Sequence, residues 1–522
     1  MGLSIFSSNP LRCTGIILLC FLLAGCGQDH HVSRLNLAIS SDIRGFDPAL
    51  AVDIRSGQTM SLTYDNLVQF GTGTKLKPGL AHSWEVDSLG LNYIFHLRKG
   101  VKFQDGTPLN ASAVIYSFQR ILDPNTNSPQ TWLFDRLQGA QDFMAGRTST
   151  ISGLRANDDY TVALTIREPF APFIQYLAMP SAAIVNPGQI DNIGEEPAGS
   201  GPWILEHWER DGVLKFIRND NYWGPRPKQK YLQFRIISEA MARTAEFEAG
   251  NLDLMDLAEN DLPRWREQTE WQERIFQIEN LDIWYIGLNC SRPPFNDLRL
   301  RRALNLSLDR EKILDLLLNG AASPAAGPVP PSLRTDKLKP YPYDPARARE
   351  LIKDAGYGSG LVTRLWVGGG SEMYYVLEAL QSDWAAVGIQ VDLLRSDWNV
   401  FKTAVREGKP DMYYLNWRAD YPDPENFLFP LFNSIESEQK RNRYSSSHAD
   451  SLIALVQTTP PGPKRRKLIS LTNRFIFEEA PWVFLWHKRG HVVVQPWIEN
   501  YTPKLIFNAE KYLDIRKLKR EA

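Results

Sequence analysis

The residues best suited to binding chemistry lie in one short stretch, W-R-A-D-Y-P-D-P-E-N-F, at positions 417–427. It follows an apolar run, Met412 to Leu415, that is typical of a buried strand. Its two prolines lack the N–H that a central strand needs, so we expect the chain to leave a sheet here as an exposed loop. A carboxylate, Asp420, stands beside two large rings, Trp417 and Tyr421, which could hold it at the wall of a cleft. Such a site would bind a cationic group; the alternative is a proline-stiffened turn whose acids are simply solvated.

Catalytic and metal-binding interpretations of the same residues have less support. Asp420, Asp423 and Glu425 could serve as acid and base in an exported hydrolase. However, prolines stiffen their loop, and no partnering His, Ser or Cys motif is present. These acids also lack EF-hand spacing and its central glycine. His487 and His491 are spaced as in H-E-x-x-H, but the glutamate is missing. The patterns favour a binding role and indicate no catalytic residue, no metal site and no cofactor.

The predicted strands and helices that precede this stretch follow a regular order. Strands and helices alternate before it, and each helix ends at a glycine. The predicted members are strand Leu361 to Val367, helix Tyr374 to Val387, strand Ile389 to Leu394, helix Trp398 to Glu407 and strand Met412 to Leu415. This β-α-β-α-β order predicts a mostly parallel sheet with right-handed crossovers. Ligands of such sheets bind beyond the carboxyl ends of the strands, which is where residues 417–427 lie.

The chain length and the net charge limit the possible architectures and binding partners. A chain of 522 residues exceeds what one hydrophobic core usually supports, so two or three domains are expected. Its 59 basic and 60 acidic side chains leave a net charge of -1. This balance argues against a protein organised around nucleic acid or an anionic membrane surface. A charged ligand must therefore be met by a local site.

The N-terminal residues indicate export. The apolar run Ile16 to Leu23 is too short to span a bilayer, which needs about 20 apolar residues, and is typical of a signal peptide. It ends in Leu23-Ala24-Gly25-Cys26, which resembles the bacterial lipobox. That resemblance implies cleavage before Cys26 and acylation of its thiol. Residues 1–25 would then be a signal peptide and residues 26–33 a lipid-anchored tether.

Further motifs occur in order along the rest of the chain. They are Leu76-x-Pro78-Gly79-Leu80-Ala81-x-x-Trp84-Glu85, the run Phe95 to Pro108, Gly201-Pro202-Trp203 with Arg218-Asn219-x-x-Tyr222-Trp223, and Pro294-Phe295-Asn296-Asp297-x-Arg299-x-Arg301-x-Ala303-Leu304. Together they resemble one family, the extracytoplasmic peptide-binding components of bacterial ABC importers, of the oligopeptide and dipeptide type. The resemblance implies an α/β fold of the type II periplasmic-binding-protein kind. Mixed sheets flanked by helices would form two lobes with a ligand cleft between them, and an extra domain would be added.

The resemblance also implies how the chain is divided. Lobe I would be discontinuous, the extra domain II would be inserted in it, and lobe III would follow. The expected ranges are 34–72, 193–280 and 484–522 for lobe I, 73–192 for domain II and 281–483 for lobe III.

The family's function is to capture peptides outside the cytoplasmic membrane and deliver them to a permease with its ATPase subunits. We therefore expect a monomeric binding protein that is not an enzyme and does not bind nucleic acid. The lipobox at Cys26 would anchor it by lipid on the periplasmic or extracellular face of the bacterial membrane. Relatives of this fold also accept metal chelates, haem or oligosaccharides, so a non-peptide ligand is the alternative.

Three site residues follow from the resemblance. Asp420 matches the aspartate that pairs with the α-ammonium group of a bound peptide. The chemistry is reasonable, because a buried ammonium is costly unless it meets a carboxylate. Trp417 and Trp398 match tryptophans that line pockets for ligand side chains.

One position departs from the family pattern. Some oligopeptide binders carry an arginine for the ligand carboxylate shortly before the Trp-x-x-Asp motif, and here Tyr414 occupies that position. No arginine is evident either in residues 366–375, where dipeptide binders place theirs. Arg418 and Arg406 are the alternatives for the carboxyl end of a ligand.

Overall fold

The computed structural model describes residues 34–71, 73–370, 373–435 and 442–519. The predicted signal peptide, the tether and Cys26 lie outside these residues. No helix within the described ranges is both long enough and apolar enough to cross a membrane.

Short strands and helices alternate along the first part of the chain. Its strands are β1 (Arg34–Ile39), β2 (Val68–Phe70), β3 (Leu76–Pro78), β4 (Ala81–Val86), β5 (Asn92–Leu97), β6 (Leu154–Asp158), β7 (Thr161–Thr165), β8 (Trp203–Glu209), β9 (Val213–Arg218), β10 (Tyr231–Ile236), β11 (Leu254–Asp256) and β12 (Ile275–Glu279). Its helices are α1 (Ile54–Thr63), α2 (Ala111–Leu122), α3 (Ala140–Met144), α4 (Phe173–Tyr176), α5 (Ala240–Glu248) and α6 (Leu262–Glu267).

The second part has longer helices. Its strands are β13 (Asp282–Leu288), β14 (Ala322–Pro324), β15 (Leu361–Gly368), β16 (Ile389–Ser396), β17 (Met412–Arg418), β18 (Trp482–Val494), β19 (Ile498–Glu499) and β20 (Arg516–Lys517). Its helices are α7 (Leu298–Leu306), α8 (Arg310–Leu317), α9 (Pro345–Asp354), α10 (Tyr374–Ala385), α11 (Trp398–Arg406), α12 (Glu425–Phe432), α13 (Ser447–Thr458) and α14 (Pro463–Glu479).

Two four-stranded sheets belong to the first part of the chain. One has the order β1-β10-β9-β8, with β1 parallel to β10 and the other neighbours antiparallel. Burial alternates along β1, because Leu35, Leu37 and Ile39 are buried while the residues between them are partly exposed. The other sheet, β4-β5-β7-β6, is antiparallel. Helix α2 packs beside it and is capped by Asn110, whose side chain accepts from the N–H of Ala113.

The largest sheet is mixed. Its order is β11-β18-β13-β17-β15-β16, and β12 and β14 also pair with β18. Strands β16 and β17 both run parallel to β15, which confirms the β-α-β-α-β prediction. Gly388 and Gly408 follow the two crossover helices with φ of 92° and 70°, a conformation that favours glycine. Strands β13 and β18 add antiparallel pairs to this parallel centre.

Strand β18 connects several hydrophobic cores, of which two mark its two halves. Its first half, including Val483, lies in the core beneath β13, β15, β16 and β17. Its second half, including Val492, lies in the core of the β1-β10-β9-β8 sheet. The chain passes between the same cores once more from β12 to β13, and there the N–H of Asn280 donates to the carbonyl of Lys488 at 3.2 Å. Two adjacent backbone crossings of this kind can serve as a hinge.

Candidate functional site

The 417–427 stretch begins inside the sheet. Trp417 and Arg418 still belong to β17, where they pair with Ile283 and Asp282 of β13. The prediction that the strand ends at Leu415 is therefore wrong by three residues. The reason is the antiparallel neighbour β13, which supplies hydrogen-bond partners that the local sequence does not reveal.

A buried amide holds the exposed end of this stretch. The Oδ1 atom of Asn426 accepts hydrogen bonds from the backbone N–H of Asp420 at 3.0 Å and from the indole Nε1 of Trp417 at 3.3 Å. Its Nδ2 atom lies 3.5 Å from the carboxylate of Asp420. Asn426 itself is buried, whereas Asp420 is exposed. The turn therefore presents an acid to solvent on a fixed backbone. Sequence reasoning missed Asn426, which lies six residues after Asp420 and carries no motif.

The next acid, Asp423, lies in the interior. It is 2% exposed. Arg465 of α14 donates to both of its oxygens, at 2.8 and 2.7 Å, and Gln175 of α4 donates at 3.0 Å. A bidentate pair of this kind satisfies a buried carboxylate. The solvated interpretation of Asp423 is therefore wrong, and the acid is structural.

Glu425 is buried as deeply and is hydrogen-bonded. The hydroxyl of Tyr421 donates to Oε2 of Glu425, and Nε2 of Gln457 donates to its Oε1 at 2.7 Å. Burial raises the pKa of Glu425 above its ordinary value. Burial and the neighbouring Glu425 raise the pKa of Tyr421 well above 10, so its hydroxyl keeps its proton. Tyr421 is thus a structural donor packed against Tyr176, with ring centroids 4.8 Å apart.

Trp398 is the most exposed of the predicted tryptophans. It begins α11, is 45% exposed, and stacks on Phe401 with centroids 5.6 Å apart. Its ring lies against the backbone of Gly368, where an added Cβ would come within 2.6 Å of Trp398 Cε3. Gly368 is thus needed for this ring position, and no motif in the sequence indicates this role.

Tyr414 lies on the same face of β17 as Arg418, because side chains four residues apart along a strand point the same way. Its ring is 5% exposed and packs against Trp284, with centroids 5.6 Å apart. Its hydroxyl has no hydrogen-bond partner among the described residues. Burial raises the pKa of Tyr414 well above its usual value, so the group is neutral.

A cavity of about 410 Å³ opens beyond β17. It lies between Arg418 and elements packed on the β1-β10-β9-β8 sheet, and its wall includes Arg55, Tyr501, Lys504 and Glu510. Of the five predicted ligand-binding residues, Arg418 is the one found in this wall in the described part of the chain. The other four, Asp420, Trp417, Trp398 and Tyr414, lie outside it.

A second cavity, of about 540 Å³, lies behind the C-terminal segment. Lys504 and Glu510 line both cavities, so this segment separates them. The larger cavity contains none of the predicted site residues in the described chain, and we place the candidate site at the smaller one.

The hinge beside the cavity contains buried titratable groups. Asp282 accepts a hydrogen bond from the backbone N–H of Lys488 at 2.9 Å, and burial raises the pKa of Asp282 to about 6. Burial lowers the pKa of His487 to about 4, and its Nδ1 lies 2.6 Å from the carbonyl oxygen of Asp282. His487 and His491 lie on strand β18. No group of three or more metal-ligating side chains occurs within the described residues.

Comparisons with known proteins indicate the same family as the sequence motifs. Residues 75–439 match the family described as bacterial extracellular solute-binding proteins, family 5 Middle. Heme-binding protein A of Haemophilus influenzae is 29% identical over 486 residues, which cover 88% of this chain and 87% of that protein. Glutathione-binding protein GsiB of Escherichia coli K12 is 31% identical over 468 residues, covering 86% and 87% of the two chains. The ABC transporter-associated periplasmic binding protein DppA from Helicobacter pylori, solved in complex with peptide STSA, has a TM-score of 0.74 and 26% identity, covering 93% of this chain and 98% of that one.

These likenesses extend over most of the chain and confirm the predicted α/β fold of mixed sheets flanked by helices, of the periplasmic-binding-protein type. Members of the matched family are transport binding proteins found outside the cytoplasm. The sequence motifs, the topology and the matched residues thus agree, and the chain belongs to family 5 of the bacterial extracellular solute-binding proteins.

Proposed function

We propose that this protein is the substrate-binding component of a peptide ABC importer. It captures peptides outside the cytoplasmic membrane and delivers them to a permease with its ATPase subunits, and it catalyses no reaction. Two relatives support a peptide ligand: one is solved with the peptide STSA, and the other is named for glutathione, a tripeptide.

The observation that carries the proposal is the setting of Asp420. Its carboxylate is exposed at the end of a sheet strand, on a backbone that the buried Asn426 fixes at 3.0 Å. Such an acid can meet the α-ammonium group of a peptide and compensate for the water that the ammonium loses. Trp417 and Trp398 would line pockets for the ligand's side chains.

Arg418 would serve the opposite, carboxyl end of the ligand. It is exposed, and it lines the cavity beyond β17. Arg406 is not among the residues of that wall in the described chain, which favours Arg418 over it. Tyr414 stays a predicted site residue; its buried ring supports the face of β17 that carries Arg418.

The predicted division of the chain fits this role. Lobe I (34–72, 193–280 and 484–522) and lobe III (281–483) would close on the ligand about the two crossings at β12–β13 and β18, with domain II (73–192) beside them. In the proposed mature protein, Cys26 carries the lipid that anchors the monomer outside the cytoplasmic membrane. Mass spectrometry of the membrane-extracted protein tests the anchor: an unmodified Cys26 would contradict it.

The decisive test is titration calorimetry of Asp420→Asn with peptides that the unaltered protein binds. We expect affinity to fall by about a hundredfold or more, because a neutral amide no longer balances the ligand's ammonium group. Asp392→Asn, which alters an exposed acid on β16, is the matched control and should bind normally. Unchanged affinity of Asp420→Asn would contradict the proposed role of this residue.

A haem ligand is the second candidate, favoured by the 29% identity to Heme-binding protein A. Mass spectrometry of the molecule that co-purifies with a soluble form lacking Cys26 separates the two candidates. A peptide mass supports the importer of peptides. Stoichiometric haem, together with no binding of peptides in calorimetry, would overturn it.

A further inference from the structure

The cavity of about 540 Å³ behind the C-terminal segment is lined by four lysines. They are Lys77 of β3, Lys228 in the connection between β9 and β10, and Lys504 and Lys511 of the C-terminal segment. We call these four residues the lysine cluster. Its members come from three separate parts of the chain, which fold together around one space.

Within the described residues, Lys511 is the member of the lysine cluster that has a carboxylate partner. Its Nζ atom forms an ion pair with Asp65. Lys77, Lys228 and Lys504 form no ion pair in the described part of the chain. Like charges around one space repel each other unless an anion lies between them. The lysine cluster therefore leaves positive charge that an anion in the cavity would compensate.

The charge of Asp65 is already engaged by the fold. Asp65 is fully buried, and besides Lys511 it accepts hydrogen bonds from the indole Nε1 of Trp223 at 2.8 Å and from the hydroxyl of Tyr222 at 3.2 Å. It is not among the residues of the cavity wall in the described chain. Asp65 thus balances Lys511 and leaves the other three lysines without a counter-charge.

Two acids, Glu510 and Asp514, line the cavity and offset the lysine cluster only in part. Burial raises the pKa of Glu510 to about 7, so it is about half neutral near pH 7. Asp514 is exposed to solvent, where water weakens the field of its charge. Burial lowers the pKa of Lys77, and the neighbouring Lys511 and Lys504 lower it further. The potential in the cavity is therefore positive.

The type of basic residue indicates the type of anion. The arginine fork matches the two oxygens of a carboxylate, and no arginine lines this cavity within the described residues. A lysine ammonium group is a point charge with three donors, and it is a common partner of phosphate. A phosphate group carries up to two negative charges and several acceptor oxygens, so it can meet several lysines at once.

We propose that this cavity is a second ligand site, which binds a small molecule carrying a phosphate group between the side chains of the lysine cluster. Its volume of about 540 Å³ falls within the usual range for small-ligand sites, about 300–1,000 Å³. The space exceeds that of a phosphate ion, and the polar side chains of Asn500 and Thr502 line it as possible partners for an organic part. The site is separate from the cavity of about 410 Å³, so its ligand is independent of the proposed peptide ligand.

The test is titration calorimetry of the purified protein with four probes: glycerol 3-phosphate, glycerophosphoglycerol, inorganic phosphate and succinate. Glycerophosphoglycerol is the headgroup of an anionic lipid without its acyl chains, and succinate is a dianion without phosphate. We expect at least one phosphate probe to bind about tenfold or more tightly than succinate. Tightest binding of glycerophosphoglycerol assigns the source to a lipid headgroup, and tightest binding of another phosphate probe assigns it to a soluble phosphate.

Two outcomes would overturn the assignment of a phosphate ligand. One is that succinate binds as tightly as the phosphate probes, and the other is that no probe binds. Both outcomes leave the peptide-binding function standing, because that function is measured with peptides.

Variants then locate the site. Lys77 and Lys228 line the larger cavity and are absent from the wall of the smaller one in the described chain. Lys77→Met and Lys228→Met should each weaken the binding of a phosphate probe by about tenfold. Lys312→Met, at an exposed lysine of α8 outside both cavities, is the matched control.

Both lysines are exposed, so their variants should fold normally, which thermal unfolding checks. Affinity for the phosphate probe that stays unchanged in Lys77→Met and in Lys228→Met would overturn the location of the site.

Discussion

The two ends of the 417–427 stretch are made of similar residues but differ in their surroundings. At the first end, Arg418 and Asp420 are exposed beside the hinge. At the second, Asp423 and Glu425 are each 2% exposed, and both carboxylates receive side-chain hydrogen bonds from other helices. The side chains of the first end keep contact with solvent, whereas the carboxylates of the second are held by side chains from other helices.

Under the proposed function, this difference would separate binding from stability within a few residues. A carboxylate that must meet a ligand has to keep contact with solvent in the unbound protein. A carboxylate that is buried with its partner holds the loop in place. Removing the partner leaves an unpaired buried charge, which strongly lowers the stability of the fold. Substitutions at the two ends should therefore affect different measurements.

The largest effect is expected from Arg465→Ala. This change leaves Asp423 buried without its bidentate partner, whose nitrogens lie 2.8 and 2.7 Å away. We expect the free energy of unfolding to fall by about 3–5 kcal/mol in denaturant titration. Arg466→Ala, at an exposed position next in the chain, is the control and should stay within about 0.5 kcal/mol of the unaltered protein. A loss below about 1 kcal/mol for Arg465→Ala would remove the contrast between the two ends.

A smaller effect is expected from Tyr421→Phe, which removes the hydroxyl that donates to Glu425. The loss of a donor to a buried carboxylate should cost about 1–3 kcal/mol of unfolding free energy. Tyr343→Phe, at a residue that is 50% exposed, is the control and should change little.

The pH dependence of Tyr421→Phe sharpens this test. Burial raises the pKa of Glu425 in the folded state, so its contribution to stability is present at low pH and lost as the pH rises through that pKa. The Tyr421 hydroxyl opposes this loss because it stabilises the charged carboxylate. The deficit of Tyr421→Phe should therefore widen as the pH rises above about 4. A deficit that narrows over this range would contradict the assigned hydrogen bond.

The order of elements could be predicted from the sequence because its signals are local. The glycines after the two crossover helices, Gly388 and Gly408, and the cap residue Asn110 act through the backbone within a few residues. The parallel arrangement of β15, β16 and β17 followed from the alternation of strands and helices.

The burial of the acids could not be predicted because it depends on distant partners. Asp423 pairs with Arg465 across 42 positions and with Gln175 across 248 positions. The family resemblance singled out Asp420 as a ligand-binding acid, but the sequence left Asp423 as either structural or solvated. The position of Arg418 in a cavity wall could not be predicted either, because Lys504, which lines the same cavity, comes from the distant C-terminal segment.

The smallest effect on stability is expected from Asp420→Asn. The residue is exposed, and substitutions at exposed positions usually change stability little. Without ligand, its unfolding free energy should stay within about 0.5 kcal/mol of that of the unaltered protein. Asp423→Asn is the matched comparison: it leaves Arg465 buried without its anion, so it should lower the unfolding free energy by several kcal/mol while the folded fraction keeps its affinity for peptide. If Asp420→Asn were destabilised as much as Asp423→Asn, Asp420 would have to be regarded as part of the buried network, and the separation of binding from stability along this stretch would fail.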